Sequence, residues 1–294
     1  MNSRYTYSEI LNLDFNSYSS LNVSENRNHL LGIFRLLTGT VNCLDEYLSK
    51  TYKFRTNYFQ FPFQPDQRLN KSILLNQFEN EVELSDLNDY FRVERRNKLF
   101  YEIIECELLN CLIANKQQNY SLAFLYLYRI IEGISYSLPL IYASKSKDYN
   151  KSFELFQKLF NGVKDGELGI FRKFIEEIYK NEDFFNSTIN IKLDLIEIEE
   201  LKEKYYKIYT SIIIKKDTIV DFTEYEELKI SFLGYFEFLI GIRNKYFHFL
   251  QGIKKDNIRT MDVLYPEMFF KPIIDNGINW VSIILFEIMK NDLK

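Results

Sequence analysis

The residues of this sequence best suited to chemistry lie together between positions 243 and 248. Arg243, Asn244 and His248 place a guanidinium, a carboxamide and an imidazole within six residues. Arginine carries a permanent charge and forked donors that match phosphate oxygens, and histidine titrates near neutral pH, where proton transfer is most effective. This combination suits attack of an RNA 2′-hydroxyl on the neighbouring phosphate. We expect Arg243 to hold that phosphate, His248 to transfer protons, and Asn244 to orient His248 or a phosphate oxygen.

The hydrophobic pattern around these residues predicts one long helix over residues 224–250 with two apolar sides. The first stripe consists of Leu228, Phe232, Tyr235, Leu239, Ile242, Tyr246 and Phe249. The second stripe consists of Phe236, Ile240, Arg243, Phe247 and Leu250. Because a closed core does not tolerate an unpaired arginine, the second stripe indicates another packing partner, most simply the same helix of a second copy around a two-fold axis.

A second copy would also complete the chemistry. One His248 cannot easily act as both the base for the 2′-hydroxyl and the acid for the 5′-oxygen, whereas two motifs across a dimer supply two imidazoles. A metal-dependent nuclease would need carboxylates and histidines at ligand spacing, and the whole chain has only two histidines. The residues therefore suit RNA cleavage at a site shared by two chains, and the sequence indicates no metal or other cofactor.

The pattern of Arg243, Asn244 and His248, late in a helical chain, resembles the motif of the HEPN superfamily of ribonuclease-like domains. That motif is an arginine followed after four to six residues by a histidine, often with asparagine directly after the arginine. The resemblance implies an all-α helical bundle that dimerises around the motif and cuts RNA without metal, commonly as a toxin or an effector of phage defence. It also implies that residues 120–137, with Arg129 and Glu132, form an earlier core helix whose polar residues face the site.

The resemblance covers residues 95–294 and leaves the first 90 residues without an assigned role. Many members of the superfamily are binding modules without nuclease activity. The alternative function is therefore a catalytically silent helical module that assembles with a toxin, a nucleotidyltransferase or a larger defence complex. For the chain as a toxin, the expected protein partner is an antitoxin or a defence-complex protein. On either reading, we expect an N-terminal helical extension over residues 1–90 and a HEPN-like helical domain over residues 91–294.

Basic residues around the motif could extend the site into a phosphate-binding rim. The chain has a net charge of −4, so any site for a polyanion must be local. Four basic residues lie close to the motif in sequence: Lys245, Lys254, Lys255 and Arg259. They could contact the RNA backbone, although such a run can equally be a solvated surface.

Composition favours helices throughout. Hydrophobic residues make up 46% of the chain, and only 10 glycines and 5 prolines interrupt it. Leu30, Phe34, Leu37, Val41, Leu44 and Leu48 recur at spacings of four and three residues, which predicts a helix beginning near Ser24. Residues 51–70, which contain Pro62 and Pro65, break the helical pattern and read as an irregular segment that forms a short strand or an extended crossover. His29 has no partner motif around it and reads as a cap or surface residue.

The sequence gives no indication of a membrane or an oxidising compartment. The longest apolar runs fall short of the roughly 18 residues that a membrane-spanning helix needs, and the first residues lack the apolar core of a secretory signal. Three cysteines at irregular spacing support neither a disulfide framework nor a zinc site. We therefore expect a cytoplasmic protein.

Overall fold

The computed structural model describes residues 4–10, 15–65, 68–69, 74–78, 82–93, 96–145, 148–161, 166–213, 218–248 and 257–293. Helices dominate it, which confirms the broad prediction from composition. Two three-stranded antiparallel sheets accompany them, so the expected all-α fold is not confirmed. The sequence left open only a short strand within residues 51–70, where β3 ends. The chain divides into two compact units, one of residues 1–113 with 278–294 and the other of residues 114–277. This division does not coincide with the boundary near residue 90 expected from the sequence.

The first unit combines one sheet with helices from both ends of the chain. Its elements are β1 (Tyr5–Glu9), α1 (His29–Leu37), β2 (Val41–Asp45), β3 (Lys50–Lys53), α2 (Leu84–Val93), most of α3 (Lys98–Lys116) and the later part of α10 (Pro266–Leu293). The strands pair in the order β1-β2-β3, with Cys43 between Tyr7 and Tyr52. Inside this unit, the fully buried Arg35 pairs with Glu9 and donates to the carbonyl of Leu21 at 2.7 Å.

The long helix predicted from Ser24 to Leu48 is wrong, because α1 ends at Leu37. Gly39 follows with a φ of +67°, and a side chain there would meet the backbone of Arg55 at 2.5 Å. Only glycine fits such a left-handed turn with backbone so close. The next residues alternate between buried and half-buried positions in β2, so Val41 matches the helical spacing but lies in a strand.

The second unit contains the other sheet and most of the remaining helices. Its elements are α4 (Tyr120–Lys145), α5 (Tyr149–Phe160), α6 (Gly166–Tyr179), β4 (Thr188–Lys192), α7 (Glu199–Ile212), β5 (Ile219–Thr223), β6 (Glu227–Ser231), α8 (Phe232–Ile242), the π-turn (Arg243–Phe247), α9 (Thr260–Val263) and the first part of α10. The strand order is β4-β6-β5, with both pairs antiparallel.

The structure forms a shorter helix than the one predicted over residues 224–250, because α8 begins at Phe232 and ends at Ile242. Leu228 and Ile230 are the two buried residues of β6, which pairs with β4 and β5. The side chain of Ser231 accepts a hydrogen bond from the Gly234 N–H and caps α8. The spacing of four residues between Leu228 and Phe232 therefore crosses a strand-to-helix junction. Residues 249 and 250, which complete the two predicted stripes, lie outside the described residues.

Within the described part of the chain, α10 is the one helix whose length and apolar composition would let it cross a membrane. Its most apolar window has a mean hydropathy of 1.2, and 89% of that window is buried inside the protein.

Candidate functional site

The backbone changes its winding where the candidate motif begins. α8 ends at Ile242, and Arg243–Phe247 continue as a π-turn in which the His248 N–H donates to the carbonyl of Arg243 at 3.1 Å. In an α-helix, residues five apart would point roughly 140° away from each other. The bond from residue i+5 to residue i closes a wider turn and brings Arg243 and His248 towards one side. The π-turn therefore places both ends of the motif where one ligand could meet them.

Arg243 is held by residues from its own turn and from α4. Its Nη1 donates to Asn244 Oδ1 at 3.0 Å, and its Nη2 donates to Glu132 Oε1 at 3.3 Å. The guanidinium carbon lies 4.8 Å from the centre of the Tyr128 ring, within range of a cation–π contact. The side chain remains 25% exposed. Arg243 is thus oriented within the protein and still reachable by a ligand.

Asn244 orients Arg243, whereas from the sequence we expected it to orient His248 or a phosphate oxygen. Its carbonyl oxygen accepts the Arg243 hydrogen bond described above. A guanidinium bound on one side by an amide and on the other by a carboxylate is fixed in plane. In this structure Asn244 therefore acts on the arginine.

One cavity of about 190 Å³ brings together four of the nine predicted site residues. The predicted residues that line it are Arg129, Glu132, Arg243 and His248. Its remaining lining residues are Phe124, Leu125, Tyr128 and Phe247. The four predicted residues come from α4 and from the π-turn, about 110 residues apart in sequence. In this structure α4 and the motif therefore border the same cavity.

Aromatic rings support this cavity. Phe124 and Phe247 stack with their ring centres 5.7 Å apart and their planes within 4°, and Phe270 contacts both rings. Tyr246 packs against Phe269 and Phe270, which agrees with its position on the first apolar stripe. Phe247 remains 39% exposed. The motif therefore lies on a layer of packed aromatic rings in which the Phe247 ring is partly exposed.

Tyr128 is the main site residue that sequence reasoning missed. Burial of its hydroxyl, together with the neighbouring Glu132 carboxylate, raises the pKa of Tyr128 to about 12, and the charge of Arg243 acts in the opposite direction. The signal was the α4 sequence itself, since Tyr128 and Phe124 precede Glu132 by one and two helical turns. A neutral Tyr128 below Arg243 adds a buried aromatic wall without competing for an anion.

The predicted basic rim is not assembled by the residues that the structure describes. Lys245 donates from Nζ to the carbonyl of Ser211 at 3.1 Å, close to the end of α7. Arg259 makes two hydrogen bonds of 2.8 Å to Asp262 at the start of α9. Neither residue lines the cavity of Arg243 and His248. Lys254 and Lys255 lie outside the described residues.

The second apolar stripe of the predicted long helix is buried at Phe236 and exposed at Phe247. Phe236 is 1% exposed and packs edge-on against Phe171 of α6 at 5.6 Å. The expectation that Phe236 contacts a second copy is therefore corrected, because α6 of the same chain covers it. Ile240 is half-buried, and Leu250 lies outside the described residues.

A different apolar stripe is exposed on α4, beside the cavity. Its members are between 37% and 59% exposed: Leu122, Leu125, Tyr136 and Leu140. Arg129 and Glu132 continue the same spacing of three and four residues, so they lie on this face between the apolar residues. The exposed stripe therefore surrounds two of the cavity residues.

Among the described residues, no group of three or more histidine, cysteine, aspartate or glutamate side chains is arranged to hold a metal ion. In comparisons with models of protein families, with curated proteins and with solved structures, nothing matches this chain.

Proposed function

We propose that this chain is a HEPN-type, metal-independent endoribonuclease that cleaves single-stranded RNA and acts in a bacterial stress or antiphage response in the cytoplasm. The observation that supports it best is the cavity lined by Arg243 and His248 from the motif and by Arg129 and Glu132 from α4. A cationic fork and an imidazole at one cavity are the groups needed to bind a phosphodiester and move its protons.

In this mechanism Arg243 binds the scissile phosphate and stabilises the negative charge that develops in the transition state. The phosphate takes the place of the Glu132 carboxylate, which now lies 3.3 Å from the guanidinium. Asn244 keeps the guanidinium in the orientation needed for two parallel hydrogen bonds. His248 removes the 2′-hydroxyl proton or protonates the 5′-oxygen.

The reaction needs both proton transfers, so we propose that a second copy of the chain completes the site. Its docking surface is the exposed α4 stripe of Leu122, Leu125, Tyr136 and Leu140, which adjoins the exposed Phe247 of the face expected from the sequence. Arg129 and Glu132 lie within this stripe and line the same cavity as His248. A second copy docked on the stripe around a two-fold axis would therefore bring its own cavity, with its own His248, close to the first one. Burial of this apolar stripe would drive the association.

The decisive experiment incubates the purified full chain with mixed-sequence single-stranded RNA, with and without EDTA. We expect cleavage that EDTA does not affect and that is lost in Arg243→Ala and His248→Ala. Lys207→Ala is the matched control, because Lys207 is an exposed basic residue that pairs with Glu203 on α7 and does not line the cavity. Cleavage abolished by EDTA, or cleavage retained in both motif variants, would contradict the mechanism.

The second candidate function is a catalytically silent helical module that assembles with a toxin, a nucleotidyltransferase or a larger defence complex. The observation that favours it is that Glu132 and Asn244 already bind the Arg243 guanidinium, as in a structural ion pair. An absence of cleavage under all conditions, together with stable binding of a partner protein through the α4 stripe, would support this alternative.

A further inference from the structure

Two adjoining cavities in the first unit lie outside the proposed nuclease site. The larger is about 600 Å³ and the smaller about 140 Å³. Four residues line both of them: Arg27, Asn28, His29 and Lys98. A volume of several hundred Å³ is typical of sites for small organic ligands. These four residues therefore form a shared wall between the larger cavity, which could hold a small organic ligand, and the smaller cavity.

His29 on this wall is an oriented imidazole, and the structure corrects its interpretation as a cap or surface residue. The cap of α1 is Asn28, whose side chain accepts from the Leu30 N–H at 3.0 Å. His29 Nδ1 lies 2.6 Å from Glu105 Oε2, and its Nε2 lies 3.9 Å from Glu102. The hydrogen bond to Glu105 raises the pKa of His29, while partial burial and the charge of Lys98 oppose this rise. The pair therefore favours a protonated imidazole at the cavity wall.

Gly32 allows Glu105 to reach His29. A side chain at Gly32 would begin 1.8 Å from Glu105 Oε1, so the carboxylate lies directly against the backbone of α1. Glu105 also raises the pKa of Tyr7 on β1, after the larger effect of burial. The carboxylate is thus enclosed between α1 and β1, where its charge is balanced by the imidazolium.

The charge that remains at the shared wall is positive. Arg27 and Lys98 line both cavities and make no salt bridge within the part of the chain that the structure describes. Two carboxylates line the larger cavity, and Glu105 is paired with His29. Only the exposed Glu102 then stands against the charges of Arg27 and Lys98. A guanidinium, an ammonium and an imidazolium at one wall match the several acceptor oxygens of a phosphate.

We propose that these cavities bind a nucleotide-sized phosphate ester, with its phosphate held by Arg27, His29 and Lys98. The organic part of the ligand occupies the larger cavity, where Tyr5, Thr6 and Tyr7 of β1 line the wall. An inorganic phosphate alone would leave most of that cavity unfilled. This binding site is separate from the proposed nuclease site and does not depend on RNA cleavage.

The test titrates the full chain by calorimetry with inorganic phosphate, the four ribonucleoside 5′-monophosphates and the four corresponding nucleosides. We expect at least one monophosphate to bind tenfold or more tightly than inorganic phosphate, and the nucleosides not to bind measurably. His29→Gln and Lys98→Ala should each weaken that binding at least tenfold. Arg92→Ala is the matched control, since Arg92 is exposed, pairs with Asp89 and lines neither cavity.

Gly32→Ala separates a binding role of His29 from a merely structural one. The added methyl group must displace the flexible Glu105 carboxylate, while Arg27, His29, Lys98 and Glu102 remain in place. Alanine is also a better helix former than glycine, so the variant should fold. Without Glu105 the imidazole loses its proton at a lower pH, so the affinity should begin to fall at a lower pH than in the original protein. The ionisation of the phosphate probe is common to both proteins and cancels in this comparison.

Two outcomes would overturn the proposal. The first is that no monophosphate binds, and a single-stranded RNA trinucleotide that bound at this wall instead would make the surface an RNA contact. The second is that binding is unchanged in both His29→Gln and Lys98→Ala. Both can be observed whether or not the chain cleaves RNA.

Discussion

His248 donates its backbone N–H to the carbonyl of Arg243 at 3.1 Å, and this single bond defines the geometry of the candidate site. It closes a π-turn at the end of α8, where the α-helical hydrogen-bonding pattern would otherwise continue. π-Helical turns are rare in proteins, and those that occur are often found at functional sites. The turn aligns the first and last residues of the motif, so the five-residue separation of Arg243 and His248 has a direct structural reason.

The first prediction concerns the shape of the Arg243 side chain as distinct from its charge. Arg243→Lys keeps the charge but cannot bind Asn244 and Glu132 at once through a planar fork. We expect kcat/KM for single-stranded RNA to fall at least tenfold, while the melting temperature stays within a few degrees because the ion pair is partly exposed. Cleavage kinetics and thermal melting of the two proteins test this. Activity equal to that of the original chain would mean that charge alone suffices.

Some features of this site could be predicted from the sequence because they depend on local spacing. The motif of Arg243 and His248 is contiguous, and Arg129 and Glu132 are three residues apart on one helix. Such short spacings can be read from the sequence without knowing which other segments pack against them. The family resemblance then suggested that α4 and the motif would meet, and they share one cavity.

Other features depend on contacts between distant segments, which spacing alone does not specify. Val41 and Leu228 fit a helical pattern equally well, but pairing with neighbouring strands places both in sheets. Phe236 looked available on the predicted helix, but α6 covers it with Phe171. The π-turn adds one residue to a helical turn and has no spacing signature of its own. The partner of His29 is Glu105, 76 residues away, and nothing around His29 in the sequence indicates it.

The second prediction tests the exposed α4 stripe as the docking surface of a second copy. Leu125→Asp places a charge on the stripe beside the cavity, and Leu125 is 41% exposed, so the variant should fold. We expect the dimer to dissociate and cleavage to fall at least a hundredfold, since each cavity then has one His248. Sedimentation velocity measures the dimer, with Leu195→Asp as a control at an exposed leucine outside the stripe. A dimer that persists in Leu125→Asp would exclude this surface.

The third prediction tests whether Phe236 is a core residue of the chain. Because its ring is buried against Phe171, Phe236→Ala should leave a cavity and lower the free energy of unfolding by about 3–5 kcal/mol. Chemical denaturation of the full chain provides the measurement. An external dimer residue would instead show an unchanged monomer stability and a weaker dimer, and that pattern would restore the interpretation based on the sequence.

The fourth prediction concerns the pH dependence of stability at His29. Its pKa is raised in the folded protein, mainly by the hydrogen bond to Glu105, so folding favours the protonated form. The stabilisation is fully present below the unfolded-state pKa of about 6.5 and is lost as the pH rises through the higher folded-state value. Its size should be about 1 kcal/mol or less, because the imidazole is partly exposed. Urea unfolding at pH 6 and pH 9 should show a larger loss for the original chain than for His29→Gln, and equal losses would contradict the assignment.

The fifth prediction concerns Glu132, which lies where the proposed mechanism places a phosphate. Glu132→Gln keeps the size of the side chain and removes the negative charge 3.3 Å from Arg243 Nη2. An RNA phosphate would then no longer displace a carboxylate, and repulsion between Glu132 and the RNA would disappear. Since the carboxylate is partly exposed, the gain should be about 1 kcal/mol, or roughly fivefold in affinity.

Binding of a fluorescein-labelled single-stranded RNA measures this effect when both proteins also carry His248→Ala, so that no cleavage occurs. Arg243→Ala in the same background should bind more weakly than either, because it removes the cation that receives the phosphate. If the pair of Arg243 and Glu132 only stabilises the fold, both substitutions will lower the melting temperature and leave RNA affinity unchanged. Opposite changes in RNA affinity for the two substitutions would place the phosphate at Arg243, because no shared loss of stability can produce opposite signs.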